Sequence, residues 1–163
     1  MFKEPEALIP LWDYGWCEHR IIESPDGLAA DRVVDNYLRS PQFGTSFVYP
    51  EPSENPELHG PFLRSAIQAS HFEPIPMSEV LPRLRRICFE SPDTKPISSK
   101  QWSELEHLAM EVLKRNEIAF QLSLTVQDTE IQHELGWVIL DFHEFILANT
   151  HSHQIERLVI GYD

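Results

Sequence analysis

Basic residues are scarce in this chain. Its 163 residues hold 13 Lys and Arg against 26 Asp and Glu, a net charge of −13. A surface of that sign repels nucleic acid and anionic membranes, whose binding rests on pairing phosphates with cations. Glycine is scarcer still, at six residues. The phosphate-cradling patterns GxGxxG and GxxxxGK followed by Ser or Thr are missing, and so are HExxH and GxSxG. No catalytic residue and no cofactor follows from a motif. The two cysteines, Cys17 and Cys88, lie too far apart for a metal knuckle or a disulfide framework. Two reduced thiols are expected, with a single bridge left open. No apolar run reaches the length of about 18 residues that a membrane span needs. The first residues lack the basic and then apolar succession of a secretory signal, so a cytoplasmic location is expected.

What is present is unevenly placed. Residues 1–60 carry 11 acids and 4 bases, residues 61–116 carry 7 and 8, and residues 117–163 carry 8 and one, Arg157. The last third is also the most strand-like. It reads as three strands, Ile118–Val126, Leu135–Ala148 and Ile155–Tyr162. In the first, Phe120, Leu122, Leu124 and Val126 alternate with Gln121, Ser123 and Thr125, the pattern of a half-buried strand. Trp137 to Leu140 is apolar on both faces, which predicts a central place in a sheet. From Asp141 the same strand acquires charge, so its second half is expected to emerge into solvent. Asn149 to His153 reads as a polar hairpin loop.

Upstream, residues 2–14 read as irregular because of Pro5 and Pro10. Gly15 to Glu23 reads as a short strand, and Phe43, Phe47, Val48 and Tyr49 suggest another before a Pro- and Glu-rich loop over 50–56. Four helices are predicted. The first starts at Ser24-Pro25-Asp26 with a stripe of Ala30, Val33, Val34, Tyr37 and Leu38. The second covers Phe62 to Ser70. The third, Glu79 to Phe89, is capped by Ser78, with Pro82 in its first turn. The fourth, Ser99 to Asn116, starts in a capping box of Ser98 and Gln101. Together these predict one α+β domain. Its antiparallel sheet has a C-terminal three-strand meander plus one or two short N-terminal strands, with about four helices packed mainly on one face.

Candidate chemistry is thin. Asp141 and His143 share a strand face by period two, and such a couple can orient an imidazole as a base. A small hydrolase or metal-dependent enzyme is the alternative this supports. His151 and His153 are weak metal candidates, for which His133 or Glu134 would have to supply a third ligand. Trp12, Tyr14 and Trp16 could stack on a ligand or anchor an interface. The stronger reading is a binding surface. Asp13, Glu18 and Glu23 from the N-terminal part, with Glu134, Asp141, Glu144, Glu156 and Asp163 from the C-terminal part, would present carboxylates to the arginines and lysines of a basic protein. Neither nucleic acid nor a membrane is expected as a partner, a homodimer stays open, and so does a non-inhibitory adaptor or assembly role.

The stretch Trp137-Val-Ile-Leu-Asp-Phe-His-Glu-Phe-Ile-Leu-Ala-Asn149, a polar turn, and Leu158-Val-Ile-Gly-Tyr-Asp163 resembles the closing hairpin of bacterial immunity proteins that pair with secreted polymorphic toxins. The resemblance implies a small, acidic, cytoplasmic, non-enzymatic inhibitor that caps a cognate toxin's effector domain.

Overall fold

The structure is a computed structural model that describes residues 3–24, 27–47, 52–126, 128 and 139–163. In chain order the strands are β1 (Ala7–Trp12), β2 (Gly15–Glu23), β3 (Thr45–Ser46), β4 (Ser53–Glu54), β5 (Leu58–His59), β6 (Phe62–Leu63), β7 (Phe72–Ile75), β8 (Ile118–Leu122), β9 (Asp141–Ala148) and β10 (Gln154–Tyr162). The α-helices are α1 (Val33–Arg39), α2 (Met77–Glu90) and α3 (Ser99–Arg115). Six strands form one antiparallel sheet in the order β1-β2-β10-β9-β8-β7. The pairs β3–β4 and β5–β6 are separate two-stranded ribbons.

The architecture is α+β, as expected, with three α-helices among the described residues where four were predicted. The segment Phe62 to Ser70 is not a helix. Its start pairs as β6, and two 3-10 turns follow, Arg64–Ala66 and Ala69–His71. Ser78 does not cap α2, whose N-cap is Pro76, and Pro82 falls in the second turn on the exposed side. The helix expected from Ser24 begins at Val33, after a 3-10 turn over Ala30–Arg32. Ser24 accepts a hydrogen bond from Asn36 Nδ2 (3.3 Å) instead. The capping box of α3 forms as expected, with Gln101 N donating to Ser98 Oγ (3.1 Å) and Ser98 N donating to Gln101 Oε1 (2.9 Å).

Two strands of the six-stranded sheet escaped the sequence reading, β1 and β7. Both contain a proline, Pro10 and Pro74, and they are the two edges of the sheet. Proline cannot donate to a ladder and is confined to strands with one free side. Residues 129–138, the expected first part of the second C-terminal strand, lie outside the described residues, as do Val48 and Tyr49.

The sheet is buried on both faces, with two of the three α-helices, α2 and α3, on one of them and α1 on the other. Phe145, Leu147, Leu158, Ile160 and Cys17 point into a core with Leu84, Leu105, Ala109 and Val112 of α2 and α3. On the reverse face Phe142, Ile146, Ile155, Val159, Trp16 and Ile22 pack against Val33, Val34 and Tyr37 of α1 and against Phe43, Phe47 and Phe62. Each such side chain, fully removed from water, contributes about 1.5–3 kcal/mol. The second half of β9 is therefore interior. Phe145 to Ala148 are buried throughout, and the expected emergence into solvent does not occur. Both cysteines are free and buried, and burial pushes the Cys88 thiol up to about 12.

The irregular segment between α1 and β7 seats on the sheet by close approach. Gly60 has φ +57°, and a Cβ there would lie 2.7 Å from the ring of Phe142. Gly60→Ala is expected to cost about 2–4 kcal/mol, from left-handed strain plus overpacking. Urea unfolding checks this: the midpoint should fall with an unchanged slope.

Candidate functional site

One end of the sheet gathers features that the sequence placed far apart. The register aligns Gly15 of β2, Tyr162 of β10 and Asp141 of β9 in one row. The β1–β2 turn brings Asp13 and Tyr14 to this end. Asp163 N donates to Tyr14 O (2.9 Å) and Leu140 N to Tyr162 O (2.8 Å), so the row extends through residues just beyond the ladder. Trp12 stands edge-on to Tyr162, ring centres 6.0 Å apart, and its indole N–H donates to Lys95 O (2.7 Å). This bond ties the loop after α2 to the same end. Tyr14 is 61% exposed and Leu140 50%. Asp13 is exposed, and Asp141 and Asp163 are half-buried. Neighbouring strands are about 4.8 Å apart, so the residues bearing three carboxylates and two exposed large side chains stand within a few strands' width of one another at this end.

Beside this end, on the α2 side, lies a cleft of about 420 Å³. Its walls are the last turn of α2 with Ser91, Pro92 and Asp93, the chain beyond β8 at Thr125 and Val126, and the start of β9. Asp141 and His143 face it together, as expected, with Oδ1 to Nε2 at 2.7 Å. Ser91 Oγ donates to Asp141 Oδ2 (3.3 Å). Both partners are thus bound to the carboxylate. A serine nucleophile needs its hydroxyl on the imidazole, and among the described residues Ser91 and His143 each bond Asp141 rather than one another.

Three of the expected surface carboxylates are interior. Glu18 and Glu144, on neighbouring parts of the sheet face that α1 covers, are fully buried with Arg20 and Arg157. Arg157 Nη2 donates to Glu18 Oε1 (2.6 Å). Its Nη1 donates to Tyr37 Oη (3.2 Å) and Gln42 O (3.0 Å), and its guanidinium stands 5.0 Å over the Phe47 ring. Tyr37 in turn donates to Glu144 Oε1. Arg20 Nη2 lies 3.4 Å from Glu18 Oε2, and its Nη1 donates to Lys3 O. His59 completes the network. Its Nδ1 accepts from Gly44 N (3.1 Å), which leaves the proton on Nε2 to be donated to Glu144 Oε2 (2.8 Å). Burial raises the Glu144 carboxyl, but His59, Arg157 and the Tyr37 hydroxyl more than offset that and hold it below its ordinary value. Burial alone would lower the Arg157 pKa; Glu18, Tyr37 and Glu144 raise it further above ordinary. These are structural charges that no partner's surface can reach.

Glu156 corrects the expectation in the same way on the opposite face. It is 4% exposed. Arg115, at the end of α3, clasps it through Nε and Nη2 (both 2.8 Å), with Asn116 Nδ2 at 3.1 Å and His19 Nε2 at 2.7 Å. It fastens α3 to β10. Of the remaining candidates, Glu23 is exposed but sits at the far end of the sheet, opposite Gln154. His151 and His153 are exposed in the β9–β10 loop, where His153 O accepts from Ser24 N (2.7 Å). Among the described residues no three His, Cys, Asp or Glu side chains group as metal ligands, and no helix is long and apolar enough to cross a membrane. Glu134 and His133 lie outside the described residues. The expected surface thus reduces to Asp13, Asp141 and Asp163, joined by Tyr14 and Leu140.

No protein-family model, curated protein or solved structure matches this chain.

Sequence reasoning missed Arg20, Arg157, Tyr37 and His59. A signal existed: Arg20 and Arg157 each stand inside a strand of large apolar residues, where a lone cation needs a carboxylate on the adjoining strand.

The Glu156 clasp has a pH signature. Burial raises its carboxyl, but the bonds from Arg115, His19 and Asn116 outweigh this and bring it from the ordinary 4.5 to about 2. Its stabilisation is complete above pH 4.5 and drains away as pH falls through that window toward 2. Glu156→Gln is expected to lower stability near neutrality by about 2–3 kcal/mol and to lose less than the parent between those pH values. Urea titrations at stepped pH check both halves.

Proposed function

We propose that this chain is an immunity-type inhibitor that binds a basic protein, a cognate toxin's effector domain, through the sheet end bearing Asp13, Tyr14, Leu140, Asp141 and Asp163. The observation that carries the reading is the meeting there of exposed apolar side chains with carboxylates. Interfaces owe most of their binding energy to a few aromatic and aliphatic anchors ringed by polar groups. Tyr14 and Leu140 fit the anchors; the aspartates fit the ring. The resemblance of the closing hairpin to toxin immunity proteins points the same way.

Charge partition adds support. Glu18 and Glu144 are balanced internally by Arg20 and Arg157, and Glu156 by Arg115. The whole net charge of −13 is therefore borne by the other side chains. Such a field accelerates encounter with a cationic cleft and loses strength as salt is added. Carboxylates lodged in that cleft would stand where an anionic substrate binds.

A second reading rests on the Asp141–His143 couple at 2.7 Å in an open cleft. With water as nucleophile, His143 would serve as the general base of a small hydrolase, oriented by Asp141.

The test is co-purification of a basic protein partner from the native host, followed by co-expression with that partner and a binding titration. Protection is expected, with association slowing as ionic strength rises. Tyr14→Ala and Asp13→Lys should each weaken binding about tenfold or more while leaving thermal stability within about 0.5 kcal/mol of the parent. His143→Ala should leave protection intact. Loss of protection in His143→Ala alone would favour the hydrolase, and unchanged affinity in the Tyr14 and Asp13 variants would refute the surface.

A further inference from the structure

Between α2 and β8 a groove of about 390 Å³ adjoins the cleft. Its walls are Arg83, Arg86, Ile87, Gln121 and His143. In a chain with twice as many acids as bases, this lining contains two guanidinium groups, an amide and an imidazole, and no carboxylate. The polar groups are held in place by one another and by carboxylates beside the groove. Arg83 Nη1 donates to Gln121 Oε1 (2.7 Å). That bond sets the amide orientation, and it leaves Gln121 Nε2 as a donor without a partner among the described residues. Arg86 is half exposed, and its nearest carboxylate is Glu79 Oε2, at 3.8 Å. Glu79 lies at the same 3.8 Å from Arg83 Nε. This is close enough to orient both guanidinium groups but too long to saturate their hydrogen bonds. His143 Nε2 stands 2.7 Å from Asp141 Oδ1, the geometry of a neutral ring whose proton is on Nε2 and directed at the carboxylate. Its Nδ1 is then an acceptor, with no partner among the described residues.

The groove therefore offers several donors and a single acceptor. We propose that it binds a phosphate group that retains one proton, as a phosphate monoester or free phosphate. Arg83, Arg86 and the Gln121 amide would donate to its oxygens, and the P–OH would donate to His143 Nδ1. Guanidinium groups suit this role because their forked donors match phosphate oxygens. The acceptor separates phosphate from sulfate, which has no proton to give. This site goes beyond the inhibitor reading: it lies on the α2 side, meets the inhibitor surface only through the Asp141–His143 pair, and uses neither Tyr14 nor Leu140.

The test is a titration of the intact protein at about pH 7, where an ordinary imidazole is mostly neutral and inorganic phosphate still carries a proton. Inorganic phosphate, a mononucleotide and a phosphoserine peptide are compared with sulfate and chloride at matched ionic strength, reading the Gln121 side-chain amide and His143 ring signals by NMR. Phosphate should give saturable shifts at both residues, and sulfate should bind at least fivefold more weakly. The carrier that binds more tightly than inorganic phosphate identifies the source. Arg86→Gln, on an exposed helix position, should weaken phosphate binding about tenfold, and Glu79→Gln, which frees both arginines, should strengthen it. Equal responses to sulfate or chloride, or unchanged phosphate binding in a folded Arg86→Gln variant, would overturn the proposal.

Discussion

Arg157 sits near the middle of the middle of this sheet with no access to water. A lone buried guanidinium would cost several kcal/mol, so the surroundings have to supply its counter-charge and its acceptors. Glu18 on the adjacent strand provides the charge. Tyr37 provides a hydroxyl from α1, and Gln42 a carbonyl from the segment that follows it. Through Tyr37 the arginine is linked to Glu144, and through Glu144 to His59. One cation thus draws two strands, a helix and an irregular loop region into fixed positions. Among its described residues, the segment between α1 and β7 has only two-residue strands of its own. It is ordered where it seats Phe43, Phe47, His59 and Phe62 over this network.

The same network sorts the carboxylates. Some acids face inward and are neutralised there, and the rest carry the net charge outward. Glu156 and Arg115 repeat the device on the other face, fastening the end of α3 to β10. The binding surface proposed above belongs to the outward set. At the end of the sheet the ladder runs out, leaving Asp13, Tyr14, Leu140, Asp141 and Asp163 on loops and strand tips carried by a rigid frame. Side chains so placed are positioned without being consumed by the core.

Much of the frame was legible in the residue order. The alternation of Phe120 and Leu122, the density of apolar residues near β9 and β10, and the capping box at Ser98 each rest on local periodicity or local hydrogen bonding, which a chain displays directly. The edge strands were hidden by Pro10 and Pro74, because proline excludes a central strand and leaves an edge strand open. The buried acids were hidden for a different reason. A carboxylate on a strand reads as a solvated face unless a cation is known to stand beside it, and that cation lies 139 residues away in the case of Glu18 and Arg157. Pairing across a sheet depends on strand order, here β2 beside β10, and neither strand announces its neighbour. For the same reason Asp141 and His143, two residues apart on one strand, were recognised as a couple, whereas Asp13, Leu140 and Asp163 meet only through the register.

The most direct measurement of this account is a double-mutant cycle on Glu18 and Arg157, with Glu18→Gln, Arg157→Met and the double variant followed by urea unfolding. If Arg157 organises the face as described, each single change strips a buried charge of its nearest partner, leaving Glu18 only the longer Arg20 contact, and costs about 3–5 kcal/mol. The double variant should then be more stable than the two losses combined, by at least about 2 kcal/mol. Losses that simply add, within about 0.5 kcal/mol, would contradict it.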